Sequence, residues 1–114
     1  MCKIATVRRQ KFDAQDGLCF YCKQPMWEHD PHQFSERFAV CDKRLGWLRS
    51  TAEHLRARCE GGKNTGDNIV AACLFCNSRR HRSRNALPPE TYGRRVRKRL
   101  AKGQWHGLQL HPFC

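Results

Sequence analysis

Two Cys-x-x-Cys pairs, Cys19-Phe20-Tyr21-Cys22 and Cys73-Leu74-Phe75-Cys76, constrain this chain more than any other feature. A two-residue gap lets one backbone knuckle present two sulfurs to one metal, and a tetrahedral zinc ion takes four thiolates. Fifty residues lie between Cys22 and Cys73, so an ion held by Cys19, Cys22, Cys73 and Cys76 closes a long loop. The staple matters because the chain has 114 residues, of which only 39% are hydrophobic. A core that small needs a metal or disulfides. Redox chemistry at one pair is disfavoured by the presence of the second and by the lack of a βαβ pattern. A secreted disulfide framework is disfavoured by the first residues, MCKIATVRRQKFDAQDG, which contain no apolar leader segment. Cys2, Cys41, Cys59 and Cys114 lack ligand spacing and read as free thiols; a second zinc on Cys41, Cys59 and His29 or His32 is the lesser alternative.

The length suits a single domain over residues 1–114, with no run of transmembrane length. Thr6 is expected to cap a short helix that stops at Gly17, and Leu18–Cys22 reads as a strand ending in a knuckle over 18–25. Residues 26–50 lack clean periodicity, and Arg37–Val40 is strand-compatible. Arg49 to Leu55 and Ile69 to Ala72 read as a hairpin around a turn-rich loop holding Gly61-Gly62 and Asn64-Thr65-Gly66-Asp67. A helix is expected from Leu74 to about Arg84. Pro89, Glu90 and Gly103 frame another over about 89–102, with Tyr92, Val96 and Leu100 as a narrow apolar stripe. Trp105, Leu108, Leu110 and Phe113 read as anchors of the tail. The fold class expected is α+β: a small zinc-stapled ββα unit, about 49–84, with flanking helices.

The net charge of +12 is uneven: +3 over residues 1–50 and +9 over 51–114. Arg79, Arg80, Arg82, Arg84, Arg94, Arg95, Arg97, Lys98, Arg99 and Lys102 crowd a stretch opposed by Glu90 alone. Cations near phosphates release counterions, so the imbalance points to a nucleic acid, with a solvated cationic face as the plain alternative. All of these except Lys102 are candidate phosphate contacts, and no base-reading element is evident.

Within the 49–84 unit, Glu53-His54, Asn68 and Asn77 sit on first strand, second strand and helix in turn. Strand, loop, strand and helix can converge one carboxylate, one imidazole and two amides. Hydrolysing a phosphodiester needs a group that deprotonates water and a Lewis acid. Neutral His54 suits the first task. Glu53 and Asn77 offer the hard oxygens that magnesium or manganese prefers. Asn68 can fix the loop or the His54 ring, and His81, four residues after Asn77, shares its helix face as a further ligand. Taken singly, each reads as an ordinary surface, turn or helix-start residue.

In order and spacing, Glu53-His54, the Gly61-Gly62 loop, Asn68-Ile69-Val70 and Cys73-x-x-Cys76-Asn77 resemble the HNH endonuclease family, and Cys19-x-x-Cys22 resembles its zinc-bearing branch. The resemblance covers about residues 12–25 and 51–84. It implies a ββα-metal fold and metal-dependent DNA cleavage leaving 5′-phosphate and 3′-hydroxyl ends. It also implies His54 as general base, Glu53 and Asn77 on the catalytic cation, and Asn68 as the structural asparagine. Glu53 stands where the family more often has Asp, and Asn77 is a variant the family also uses. A bacterial or phage-encoded cytoplasmic enzyme follows by the same analogy, with room for a protein partner that supplies targeting. The competing expectations are a non-catalytic zinc-knuckle nucleic-acid-binding protein and an accessory nuclease subunit, for phage packaging or recombination, that needs a partner to cut.

Overall fold

The computed structural model describes residues 3–110, so Cys2, Phe113 and Cys114 lie outside the described residues. Helix α1 (Ile4–Ala14) comes first, then α2 (Pro31–Phe38), α3 (Asp42–Leu45) and a 3-10 turn at Gly46–Leu48; a second such turn, Arg58–Glu60, lies between the strands. Strands β1 (Ser50–His54) and β2 (Ile69–Cys73) pair antiparallel, with Ser50 opposite Cys73 and His54 opposite Ile69. Helices α4 (Leu74–Arg80) and α5 (Pro89–Ala101) follow. The result is a small helix-plus-hairpin fold in which β1, β2 and α4 form a ββα unit, as expected.

The register is set by burial. Every residue of β2 is buried, whereas in β1 only Ser50 and Glu53 are buried and Thr51, Ala52 and His54 are partly exposed. The Gln15 side chain, just past α1, brackets the Ala71 peptide, donating to its carbonyl at 2.8 Å and accepting from its N–H at 3.0 Å. On the other side, Trp27 donates to Leu48 O and accepts from the Ser50 N–H, bridging to Arg49 beside β1. The core clusters Tyr21, Met26, Leu48, Ala71, Ala72, Phe75, Tyr92, Val96 and Leu100 around the four buried cysteines. The Tyr92–Val96–Leu100 stripe is buried on α5, which ends before Gly103 at φ +69°. Trp105, Leu108 and Leu110 pack against the same core.

Four expectations about local structure are corrected. Helix α1 starts at Ile4 behind Lys3, earlier than a Thr6 cap allows. Residues 18–22 are not a strand: only Leu18 bridges to Pro25, because the knuckle turns the Tyr21 N–H onto Cys19 Sγ and the Cys19 N–H onto Gln24 O, while the Phe20 N–H reaches Ala71 O on β2. Residues 37–40 are not a strand either. Asp30 accepts from the Gln33 N–H and Pro31 fills the first turn, a helix start that carries α2 through Phe38 until Ala39 turns left-handed at φ 53°. Helix α4 stops at Arg80 and not near Arg84, since Arg80 Nε and Nη2 hold Leu87 O and fold the chain back.

Candidate active site and cysteine cluster

The Sγ atoms of Cys19, Cys22, Cys73 and Cys76 all lie within 4.8 Å of one another, and all four residues are buried. Cys73 closes β2 and caps α4, its sulfur accepting from the Cys76 N–H at 3.4 Å. Further N–H groups aim at sulfur: Tyr21 N and Cys73 N at Cys19, and Trp105 Nε1 at Cys76 at 3.2 Å. Burial alone pushes the Cys19 thiol up, but hydrogen bonds from the Cys22, Cys73 and Cys76 thiols hold it well below its ordinary value. Cys73 is raised by those same contacts with Cys19 and Cys22, and Cys76 by burial first. Four sulfurs this close cannot all ionise without a cation among them. Zinc–sulfur bonds of about 2.3 Å in a tetrahedron put sulfurs about 3.8 Å apart. The Cys22–Cys73 separation of 4.0 Å is compatible with that. Among the described residues this is the group that could hold a metal ion; Cys41 and Cys59 are exposed and outside it, and no second such cluster forms around them.

Beside the cluster sits Glu53, fully buried. Its Oε2 accepts from Tyr21 O–H at 2.8 Å and from Arg80 Nη1 at 3.1 Å, and its Oε1 lies 2.7 Å from His81 Nε2. Burial and then the Glu53 charge push the Tyr21 hydroxyl far up, so it stays a donor. Arg80 also donates to His54 O, Leu55 O and Leu87 O. It is therefore buried at the foot of the site, paired with the sealed carboxylate, and not displayed with the other arginines as a phosphate contact. His81, whose side chain is 31% exposed, is the group through which Glu53 approaches solvent. Asn77, one turn earlier, donates to Thr51 Oγ1 at 3.0 Å and Ala52 O at 3.2 Å, which holds α4 against β1.

Strand alternation turns His54 to the opposite side from Glu53. Its Nε2 lies 2.7 Å from Asn64 Oδ1 and 3.2 Å from Arg58 Nε. Among the described residues no hydrogen bond links the ring to Glu53, Asn77 or Asn68. The Asn68 amide closes the loop: Oδ1 accepts from the Arg56 N–H at 2.8 Å, and Nδ2 donates to Arg56 O and Lys63 O. Gly62 is required there, since a Cβ would sit 1.7 Å from Arg56 O. Arg82, Arg84, Arg94, Arg95, Arg97, Lys98 and Arg99 are exposed; Arg79 is half-buried with its guanidinium 3.4 Å over the Phe75 ring, and Arg97 also donates to Tyr21 O. Sequence reasoning passed over Tyr21, Asn64 and the inward Arg80. Tyr21 carried one faint signal, a polar aromatic inside a metal knuckle.

No described helix is long and apolar enough to cross a membrane. No curated protein and no solved structure matches the chain. One family model does match, that described as HNH endonuclease, over residues 39–83, a span that holds β1, the loop, β2 and α4. Over that segment the chain is similar to the HNH endonuclease family, and β1, β2 and α4 are the matched ββα unit.

Proposed function

We propose that this chain is a metal-dependent DNA endonuclease built as one domain around a structural zinc. The observation that carries the reading is the Glu53–His81 contact of 2.7 Å, next to Asn77, inside the segment that matches the HNH family. The two oxygen-bearing side chains suit magnesium or manganese, and the imidazole beside them widens the set to softer divalent ions. Glu53, Asn77 and His81 would hold that cation, which when bound supplies Lewis-acid stabilisation of charge at the phosphate and leaving oxygen. His54 takes the proton from the attacking water, and Asn68 keeps the loop that carries its partner Asn64 in shape. Exposed arginines along and after α4 and on α5 hold backbone phosphates, which position DNA without reading its sequence. Zinc in the cysteine cluster locks the knuckle to the start of α4. A cytoplasmic setting agrees with reduced thiols.

The second reading, a non-catalytic nucleic-acid-binding module, is favoured by one fact: both Glu53 oxygens already have protein partners. Supercoiled plasmid separates the two. The enzyme nicks or linearises it with added Mg²⁺ or Mn²⁺, EDTA stops the reaction, and His54→Ala protein keeps its zinc and its DNA binding but does not cut. Cleavage by the His54→Ala protein, or none by the parent with either metal, sinks the mechanism.

A further inference from the structure

A cavity of about 530 Å³ opens between α4, residues 81–87, α5 and the turn at Gln104–Trp105. Its floor is aromatic. Phe75 and Tyr92 are buried, while Trp105 is half-buried and meets both edge-on, at 5.2 Å and 6.2 Å between ring centroids. The Trp105 indole is fixed by its N–H bond to Cys76 Sγ, so the ring is held in place by the cysteine cluster. The rim is cationic, formed by Arg79, Arg82, Arg95 and Arg99. Among the described residues no carboxylate pairs with any of these four. Like charges gathered around a hollow without a counter-ion are the arrangement an anionic ligand relieves. Arg80 lines the same cavity and binds Glu53, so the hollow adjoins the proposed site of cleavage.

We propose that this cavity accepts an unpaired nucleotide of the DNA strand, its base stacked on Trp105 and its flanking phosphates held by Arg79, Arg82, Arg95 and Arg99. The inference rests on the DNA reading above and adds a substrate class: DNA with an unpaired or extruded base near the cut. A solvated cationic face needs no aromatic hollow, and a smooth duplex surface cannot fill one. Rigid aromatic rings beside arginines are how proteins hold single-stranded bases without reading their identity.

The test is binding without added Mg²⁺ or Mn²⁺, followed by fluorescence anisotropy with three labelled DNAs: a perfect duplex, the same duplex with one unpaired nucleotide, and that duplex with the unpaired nucleotide abasic. The unpaired base is expected to tighten binding about tenfold over the perfect duplex, and the abasic site to lose most of that gain. Trp105→Leu removes the base-dependent gain alone. The Arg95→Ala/Arg99→Ala pair weakens all three complexes and lowers the salt slope by about two. Equal binding of the base-bearing and abasic duplexes by the parent protein overturns the inference, whatever becomes of Trp105→Leu. No cleavage is read, so the two readings fail separately. A protein that prefers the unpaired base but never cuts loses only the nuclease, and one that cuts without preference loses only this cavity.

Discussion

Arg80→Met is the perturbation that most sharply separates this structure from a reading of the sequence as a row of phosphate-binding arginines. The parent side chain is 4% exposed and makes five hydrogen bonds: two to Leu87 O, one each to His54 O and Leu55 O, and one to Glu53 Oε2. Methionine keeps much of the volume and none of the donors. Glu53, fully buried, is left with Tyr21 and His81 as its partners among the described residues. Removing one member of a buried pair costs about 3–5 kcal/mol, largely through the stranded charge. A domain of this length is stable by about 5–15 kcal/mol, so the loss takes a large share of the total. Urea unfolding of the parent, Arg80→Met, Glu53→Gln and the double variant gives the cycle. The double variant is expected to be more stable than the sum of the singles by about 2 kcal/mol, since it strands no charge. A single-variant loss below about 1 kcal/mol, the range of ordinary surface changes, would refute the buried placement of Arg80.

Three other outcomes follow from particular contacts. Cys22→Ser removes one of four sulfurs: bound zinc, read by elemental analysis, falls well below one ion per chain, and the thermal midpoint drops by about 10 °C or more; unchanged zinc content contradicts the cluster as a four-ligand site. Gly62→Ala pushes a methyl carbon onto Arg56 O and opens the loop, costing about 1–3 kcal/mol in urea unfolding and lowering any cleavage rate, whereas full stability would mean that the close approach is not real. A neutral His54 ring can give its Nε2–H to Asn64 or take one from Arg58, not both. If Asn64 sets the tautomer that frees Nδ1 for water, Asn64→Ala slows cleavage about 10–100-fold and Arg58→Ala only a few-fold, and the reverse order assigns the base to Nε2.

Legibility in the sequence followed the range of the interactions. The cysteine pairs, the hairpin and the α5 stripe were readable because each is written in local spacing, two residues for a knuckle and four for a helix face. The knuckle's strand-like composition misled, since Phe20 and Tyr21 favour strands while N–H bonds to sulfur bend the backbone. Residues 37–40 misled for another reason: Phe34 and Phe38 are an i, i+4 pair on α2, 4.7 Å apart, and Asp30-Pro31 had already supplied the start. The inward turn of Arg80 had no local signal. It depends on Glu53, twenty-seven residues away in the chain, being sealed at the foot of β1. The opposed faces of Glu53 and His54, by contrast, follow from strand alternation alone.

The charge around Glu53 bears on how such a site takes a cation. The carboxylate is balanced by Arg80 at 3.1 Å, and Asn77 and a ligating His81 are neutral. Glu53, Asn77 and His81 with Arg80 therefore carry no net negative charge, and a divalent ion placed there is left with nearly its full charge. Magnesium sites of this kind commonly draw one or two carboxylates from the protein and the remainder from substrate phosphates. On the proposed function, the DNA backbone is the anion that completes the site. Cation and DNA must then favour each other's binding, and linkage requires the two effects to be equal. Calorimetric titration of His54→Ala protein with Mg²⁺, alone and with duplex present, measures one arm; duplex titrated with and without Mg²⁺ measures the other. Each should tighten the other about tenfold or more. Equal Mg²⁺ affinity in the two states would mean that the ion sits elsewhere, because a Glu53 already neutralised by Arg80 has too little charge to hold it unaided.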